Sequence, residues 1–166
     1  GWLIAWQSQG QDGSGWGVYG QRFDVNGVPQ GDELRLNTTT DNGQQTVDIA
    51  ALPGGGFVAT WYSDYDSGNY YNVRAQRFAA DGSRVGPEVQ VDSDGAPNSN
   101  YQAEPAVAAF ADGSFVVVYR HDNVDGSGAG ITAQRFAADG NRVGAEFYVN
   151  TETDGNQYQP DLTALS

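Results

Sequence analysis

Short apolar runs separated by Gly, Asn and Asp turns recur along this chain, and no stretch carries a helical period. The runs WLIAW, FVATW and FVVVY are apolar on both faces. Trp2, Ile4 and Trp6 alternate with Leu3 and Ala5; Phe57, Ala59 and Trp61 with Val58 and Thr60; Phe115, Val117 and Tyr119 with Val116 and Val118. A half-exposed sheet alternates apolar with polar, so a strand apolar on both sides is covered on both sides. Small sheets stacked face to face provide that cover.

The pattern is written three times. Gln21-Arg22-Phe23 returns as Gln76-Arg77-Phe78 and Gln134-Arg135-Phe136, at offsets of 55 and 58 residues. A period of this size marks a repeat architecture. Each repeat predicts four strands. Strand A is Asp48–Leu52, Ala106–Phe110 and Asp161–Leu165; strand B is Trp2–Gln7, Phe57–Tyr62 and Phe115–Arg120. Strand C is Val18–Phe23, Val73–Phe78 and Ile131–Phe136; strand D is Glu33–Asn37, Glu88–Asp92 and Glu146–Asn150. Asn26-Gly27, Asp81-Gly82 and Asp139-Gly140 turn C into D, the strongest short hairpin signal because both residues tolerate positive φ. The longer B–C and D–A links then gather at the opposite end of each sheet.

The expected fold is all-β: three four-stranded antiparallel blades of β-propeller type, forming one domain over 1–166 (repeats near 1–52, 53–110 and 111–166). The chain opens on strand B and closes on strand A, which reads as a cut within an A–B hairpin. Three blades are few for a propeller, so a homodimer closing a six-bladed ring is expected, with a threefold β-trefoil or β-prism monomer as the alternative. Each QRF arginine stands eleven residues before a glutamate (Glu33, Glu88, Glu146), which predicts a salt bridge across the C–D hairpin.

Composition narrows the function. There are 21 acidic residues against 8 Arg, no Lys, and a net charge of −13. Nucleic acids and anionic membrane surfaces are disfavoured partners. No apolar run is long enough to insert into a membrane. With no Cys, no Lys and a single His, thiol, Schiff-base and Ser-His-Asp chemistry lack parts, and an enzyme is set aside. The chain also has no Met, which reads as a piece of something longer.

The variable positions sit in the long loops. Fifteen residues separate Trp6, Trp61 and Tyr119 from the QRF glutamine in all three repeats. Within that frame Asp12, Asp64, Asp66, Asp122 and Asp125 stand near glycines, a setting that suits Ca2+. The same end gathers Trp16, Tyr65, Tyr70, Tyr71, Tyr101 and Tyr158, with Gln44, Gln102 and Gln157 ahead of strand A. Aromatic faces among amides and carboxylates are what a sugar surface needs.

The segments GFVATWYS, RAQRFAADGSRVGPEVQV and QAEPAVAAFADG resemble a unit repeated in tandem in very large secreted bacterial proteins, beside haemolysin-type (RTX) calcium-binding repeats in adhesin-like proteins. The resemblance covers all three repeats and implies an extracellular or cell-surface setting. It brings no catalytic or ligand residue with it. The expected function is therefore a non-enzymatic adhesion or lectin-like module that binds glycans with its long-loop face, assisted by calcium. A structural spacer of a giant surface protein is the second reading, and a carbohydrate-active enzyme the third.

Overall fold

A computed structural model of the chain describes residues 1–65, 70–93, 101–124 and 126–165; the side chains of Tyr65 and Tyr70 fall outside the description. The described chain is all-β. The first sheet holds β1 (Trp2–Gln9), β2 (Trp16–Phe23) and β3 (Leu34–Arg35). The second holds β4 (Gln44–Ala51), β5 (Phe57–Tyr65), β6 (Tyr70–Phe78) and β7 (Arg84–Gln90). The third holds β8 (Gln102–Ala109), β9 (Phe115–Asp122), β10 (Ala129–Phe136) and β11 (Arg142–Tyr148). Strands follow in chain order within each antiparallel sheet, which is the meander of a propeller blade.

The core lies between sheets. Val18, Leu36, Phe57, Ala59, Trp61 and Phe78 fill the seam of sheets one and two. Val58, Val73, Ala75 and Val91 meet Val107, Phe115, Val117, Tyr119 and Phe136 in the second seam. Strand B of the middle blade is thus buried on both faces, as its sequence requires. Trp61 and Tyr119 are wholly buried and belong to this core.

Each residue of the QRF triplet has a separate structural task. The phenylalanine stacks on the first aromatic of strand B, with ring centroids 4.1 Å apart for Trp2–Phe23, 4.5 Å for Phe57–Phe78 and 4.8 Å for Phe115–Phe136. The glutamine closes an irregularity between strands C and D. Gln76 Nε2 donates to Arg77 O at 3.0 Å and Gly86 O at 3.1 Å, and Gln21 and Gln134 repeat the arrangement. Gly31, Gly86 and Gly144 all take positive φ there, from 72° to 78°.

The arginine does not bridge to the glutamate eleven residues on. Arg22 reaches the Asp81-Gly82 turn of the next sheet, and Arg77 the Asp139-Gly140 turn. The glutamates are engaged elsewhere: Glu33 accepts from Gln11, Glu88 from Thr38 N and Oγ1, and Glu146 pairs with Arg142. The stagger of stacked sheets brings the neighbour's turn closer than the residue across the same hairpin. Arg84 and Arg142 add a second stitch, each donating to two carbonyls at the end of the preceding sheet's strand D.

Two predicted strands are corrected. Strand D of the first repeat shrinks to Leu34–Arg35. Asp161–Leu165 forms no strand: it pairs with no other strand, and an extended segment without a ladder partner leaves its hydrogen bonds to water. Leu162 alone is anchored, against Ala106, Val118, Ile131 and Ala133.

Candidate functional site

Strands A and B of the third sheet end beside a row of aromatic rings. Arg120, near the end of β9, stands at its centre. Asp122 lies two residues on and so projects from the same face. Arg120 Nε donates to Asp122 Oδ1 at 2.8 Å and Nη2 to Oδ2 at 3.0 Å, a side-on fork. Glu104 Oε1 lies 3.8 Å from Nη1. Glu104 comes from β8, where the register with β9 shifts between Ala103 and Ala106 and the backbone takes φ 53°. A bulge of this kind re-aims a side chain that a regular strand would point elsewhere. Thr46 and Gln159 occupy the equivalent positions with φ 54° and 53°. Gln159 N also donates to Glu104 Oε2 at 2.7 Å.

The guanidinium carbon lies 4.8 Å from the Tyr101 ring centroid and 4.6 Å from that of Tyr158. Tyr101 meets Tyr71 edge-on at 4.4 Å, and Tyr71 meets Tyr62 at 5.1 Å. Tyr62, Tyr71, Tyr101, Arg120 and Tyr158 therefore form one continuous row across the seam of sheets two and three. Burial, more than any neighbouring charge, pushes the Tyr62 and Tyr101 hydroxyls up from the ordinary tyrosine value. Gln102, next to Tyr101 in the chain, is buried, its amide nitrogen 3.1 Å from His121 Nε2.

Asp64 is the counterpart of Asp122 in the second sheet, opposite Tyr71 in register. The two aspartates sit in unlike surroundings. Asp122 is paired with a cation. Burial pushes the Asp64 carboxyl up from its ordinary value; its Oδ1 is buried without a hydrogen-bond partner among the described residues, and its Oδ2 packs at Gly43. A methyl group at residue 43 would come within 2.8 Å of that oxygen.

The structure thus brings together five residues expected from the sequence: Tyr71, Tyr101, Tyr158, Gln102 and Asp122. Other expected residues lie elsewhere. Trp16 pairs with Gln9 in the first sheet. Gln44 accepts from Asn37 and donates to Asp41 O, and Gln157 accepts from Asn150 and donates to Asp154 O; both latch their own D–A loop. Asp12 accepts from Ser14 N and from Asn37 Nδ2. Asp66 and Asp125, and the side chains of Tyr65 and Tyr70, lie outside the described residues. Among the described residues no three His, Asp or Glu side chains form a metal cluster. Arg120, Glu104 and Tyr62 were not expected. Arg120 carried a signal: it stands where the earlier repeats have Gln7 and Tyr62, a charge on an otherwise apolar strand.

No protein-family model matches the chain, and no curated protein matches its sequence. Solved structures share its fold, among them the following two. One is a Penicillium chrysogenum α-L-arabinanase complexed with arabinobiose, with TM-score 0.59 and 15% identity over 97% of this chain and 48% of that one. The other is an endo-arabinase from Bacteroides thetaiotaomicron, with TM-score 0.52 and 16% identity over 83% of this chain and 54% of that one. The chain spans about half the length of these structures. They overturn the expectation of a non-enzymatic adhesion module and of no enzyme, because this arrangement of sheets is one that glycan-cleaving enzymes use. The exclusion had rested on scarce His, Lys and Cys and on the lack of any carboxylate pair that the sequence singles out among its many acidic residues, although hydrolysis of sugars by carboxyl groups needs no His, Lys or Cys.

Proposed function

We propose that the chain is a carbohydrate-active enzyme of the glycoside hydrolase type, acting at the long-loop end of the seam between sheets two and three. The observation that carries this reading is the pair of equivalent aspartates in opposite environments. Two carboxyl groups held in unlike environments are what glycoside hydrolysis draws its acid and its base from. Asp64, whose carboxyl burial pushes up from its ordinary value, is the acid that protonates the departing glycosidic oxygen. Asp122, or Glu104 beside it on the same guanidinium, acts as the charged carboxylate that activates water or attacks the sugar. Tyr71, Tyr101 and Tyr158 offer ring faces to the sugar.

A net charge of −13 favours a neutral polysaccharide, and the arabinobiose bound by a structural neighbour makes arabinan the first substrate to try. The extracellular setting implied by the repeat resemblance is where such polymers are met. In this reading a second copy of the chain completes a six-bladed ring. Calcium in the long loops, on the pattern of Asp12, Asp64, Asp66, Asp122 and Asp125, has the sequence as its support, and of these Asp122 is already forked to Arg120. A fall in melting temperature on adding EDTA tests it.

The decisive assay is release of reducing sugar from arabinan and a panel of neutral polysaccharides. Asp64→Asn and Asp122→Asn should each lower the rate by about a hundredfold or more. The rate should fall as pH rises through the raised value of Asp64, because the acid must carry its proton. A folded protein that releases nothing from any substrate would falsify the proposal.

A further inference from the structure

We infer that the seam between sheets one and two holds a subsite for an acidic sugar, whose carboxylate sits on the guanidinium of Arg74. The residues that build it stand on β5 and β6, which are each paired on both sides. Trp61 lies opposite Arg74 across these strands, and Ser63 opposite Asn72, in unbroken register from Phe57 to Tyr65. Side chains opposite one another, or two residues apart on a strand, leave the sheet from the same face. Here that face is the one turned to sheet one, because Phe57, Ala59, Trp61 and Phe78 on it pack against Val18 and Leu36. Asn72 and Arg74 therefore point into the first seam, away from the row of Tyr71 and Tyr101.

Three donors are buried there without an acceptor: Trp61 Nε1, Asn72 Nδ2 and Arg74 Nε have no hydrogen-bond partner among the described residues. Trp61 and Asn72 are 0% and 6% exposed, so solvent does not serve them at the surface. On the same face Gln76 Oε1 is an unpartnered acceptor, two residues deeper than Arg74, and the donors outnumber it. Arg74 itself is half-buried and pairs with no carboxylate among the described residues. Glu88, the carboxylate that strand D turns to this seam, is taken by Thr38 N and Oγ1. The scaffold does not require a cation at this position, since Tyr19 and Thr132 occupy it in the other repeats. Arginines that stitch the sheets find acceptors: Arg84 and Arg142 each donate to backbone carbonyls.

The missing partner is an oxygen acceptor with one negative charge. A guanidinium edge binds both oxygens of a planar carboxylate, and the neutral donors beside it add no second charge for a phosphate to meet. The net charge of −13 repels acidic polymers at large, so an acid is admitted only where a local cation receives it. Trp16 identifies the acid as a sugar acid. It stands two residues before Val18 on β2 and so leaves sheet one toward the same seam, where its ring face suits the apolar face of a sugar. Asn72 supplies an amide for a hydroxyl. A uronic acid residue combines these features: a carboxylate for Arg74, a ring face for Trp16 and hydroxyls for the amide.

That the sugar acid belongs to a polysaccharide rests on the hydrolase reading; the subsite itself does not. Titration calorimetry of the full chain with sodium glucuronate, glucose and sodium acetate reads the subsite without any cleavage. Glucuronate should bind at least about tenfold more tightly than either control, because only it joins the charge to the ring. Arg74→Gln should remove the preference over glucose. Its melting temperature should stay level or rise, since a half-buried charge without a partner is being taken away, whereas a structural arginine would lower it. Trp16→Ala should weaken glucuronate and leave acetate unchanged. Hydrolysis of arabinan should be the same in Arg74→Gln as in the parent, so failure of the subsite and failure of the hydrolase reading are told apart. No binding of glucuronate, equal binding of glucose, an Arg74→Gln variant that binds like the parent or melts lower, or a Trp16→Ala variant with parental affinity for glucuronate each overturns the subsite.

Discussion

Replacing Arg120 by Met keeps the aliphatic volume of the side chain and removes its charge and its fork. Four interactions are lost, of which the 3.8 Å pair with Glu104 is the longest ion contact and adds little. The Tyr101 and Tyr158 contacts, at 4.8 and 4.6 Å, are each worth about 0.5–1 kcal/mol. The fork to Asp122 is partly exposed, with side chains 19% and 26% accessible, and contributes on the order of 1 kcal/mol after screening. Asp122 and Glu104 are also left with like charges facing one another. The expected cost is about 2–3 kcal/mol, a fall in melting temperature of roughly 4–12 °C for a chain of this size. Arg120→Lys restores a charge without the planar fork and should recover less than half of that. Calorimetry with denaturant unfolding gives the stability, and the arabinan assay on the same preparations gives the rate. If the row of rings and carboxylates forms the site, both variants lose activity beyond what their residual folding explains. A Met variant within about 2 °C of the parent, still hydrolysing at the parent rate, would show that the cluster is surface decoration and that the site lies elsewhere.

Two further substitutions test the frame that carries the site. Asp92 is 1% exposed and occupies the position held by Asn37 and Asn150 in the other repeats. Like them it accepts from a strand C backbone N–H, here Val73 N at 3.0 Å, and burial pushes its carboxyl up. A raised value means that its contribution to stability is complete at pH below the ordinary carboxylate value and is lost as pH rises through the folded value. Asp92→Asn should therefore stabilise the protein near neutrality by about 1 kcal/mol, with the gain vanishing toward pH 3; a gain equal at both pH values refutes the burial argument. Gln76→Leu removes the donor that holds Arg77 O and Gly86 O in a buried setting, and should cost about 2–4 kcal/mol in denaturant melts; a loss below 0.5 kcal/mol would make the conserved-looking clamp dispensable.

The frame was legible because it rests on local chemistry repeated three times. Asp-Gly and Asn-Gly turns, runs apolar on both faces and a fixed repeat length each determine a strand or a hairpin without knowledge of its neighbours, and three copies averaged away the accidents of any one. What failed was everything that depends on the offset between sheets. Arg22 and Glu33 flank the same hairpin, yet the stacked geometry delivers Arg22 to the turn of the next sheet, and no pattern within one repeat contains that distance. Glu104 reaches Arg120 only because a bulge with φ 53° turns it there, and nothing in Ala-Glu-Pro announces a bulge. Asp161–Leu165 has the strand A sequence and still forms no strand, since strand formation belongs to the pair and not to the segment.

The functional misjudgement had a different origin. Counting His, Lys and Cys excluded the chemistries that need those residues, and a reaction driven by two carboxyl groups stayed possible but had no pair that the sequence singled out among so many acidic residues. Environment is the quantity that sequence conceals most completely here: Asp64 and Asp122 are the same residue at the same repeat position, and only the presence of Arg120 beside one and of buried surface around the other separates their surroundings. The departure that created the difference was nevertheless visible. A strand B position reading Gln7, Tyr62, Arg120 breaks the apolar frame by degrees. In a repeat protein whose scaffold positions agree, a single strand position that drifts toward charge is the first place to test for chemistry that the other blades lack.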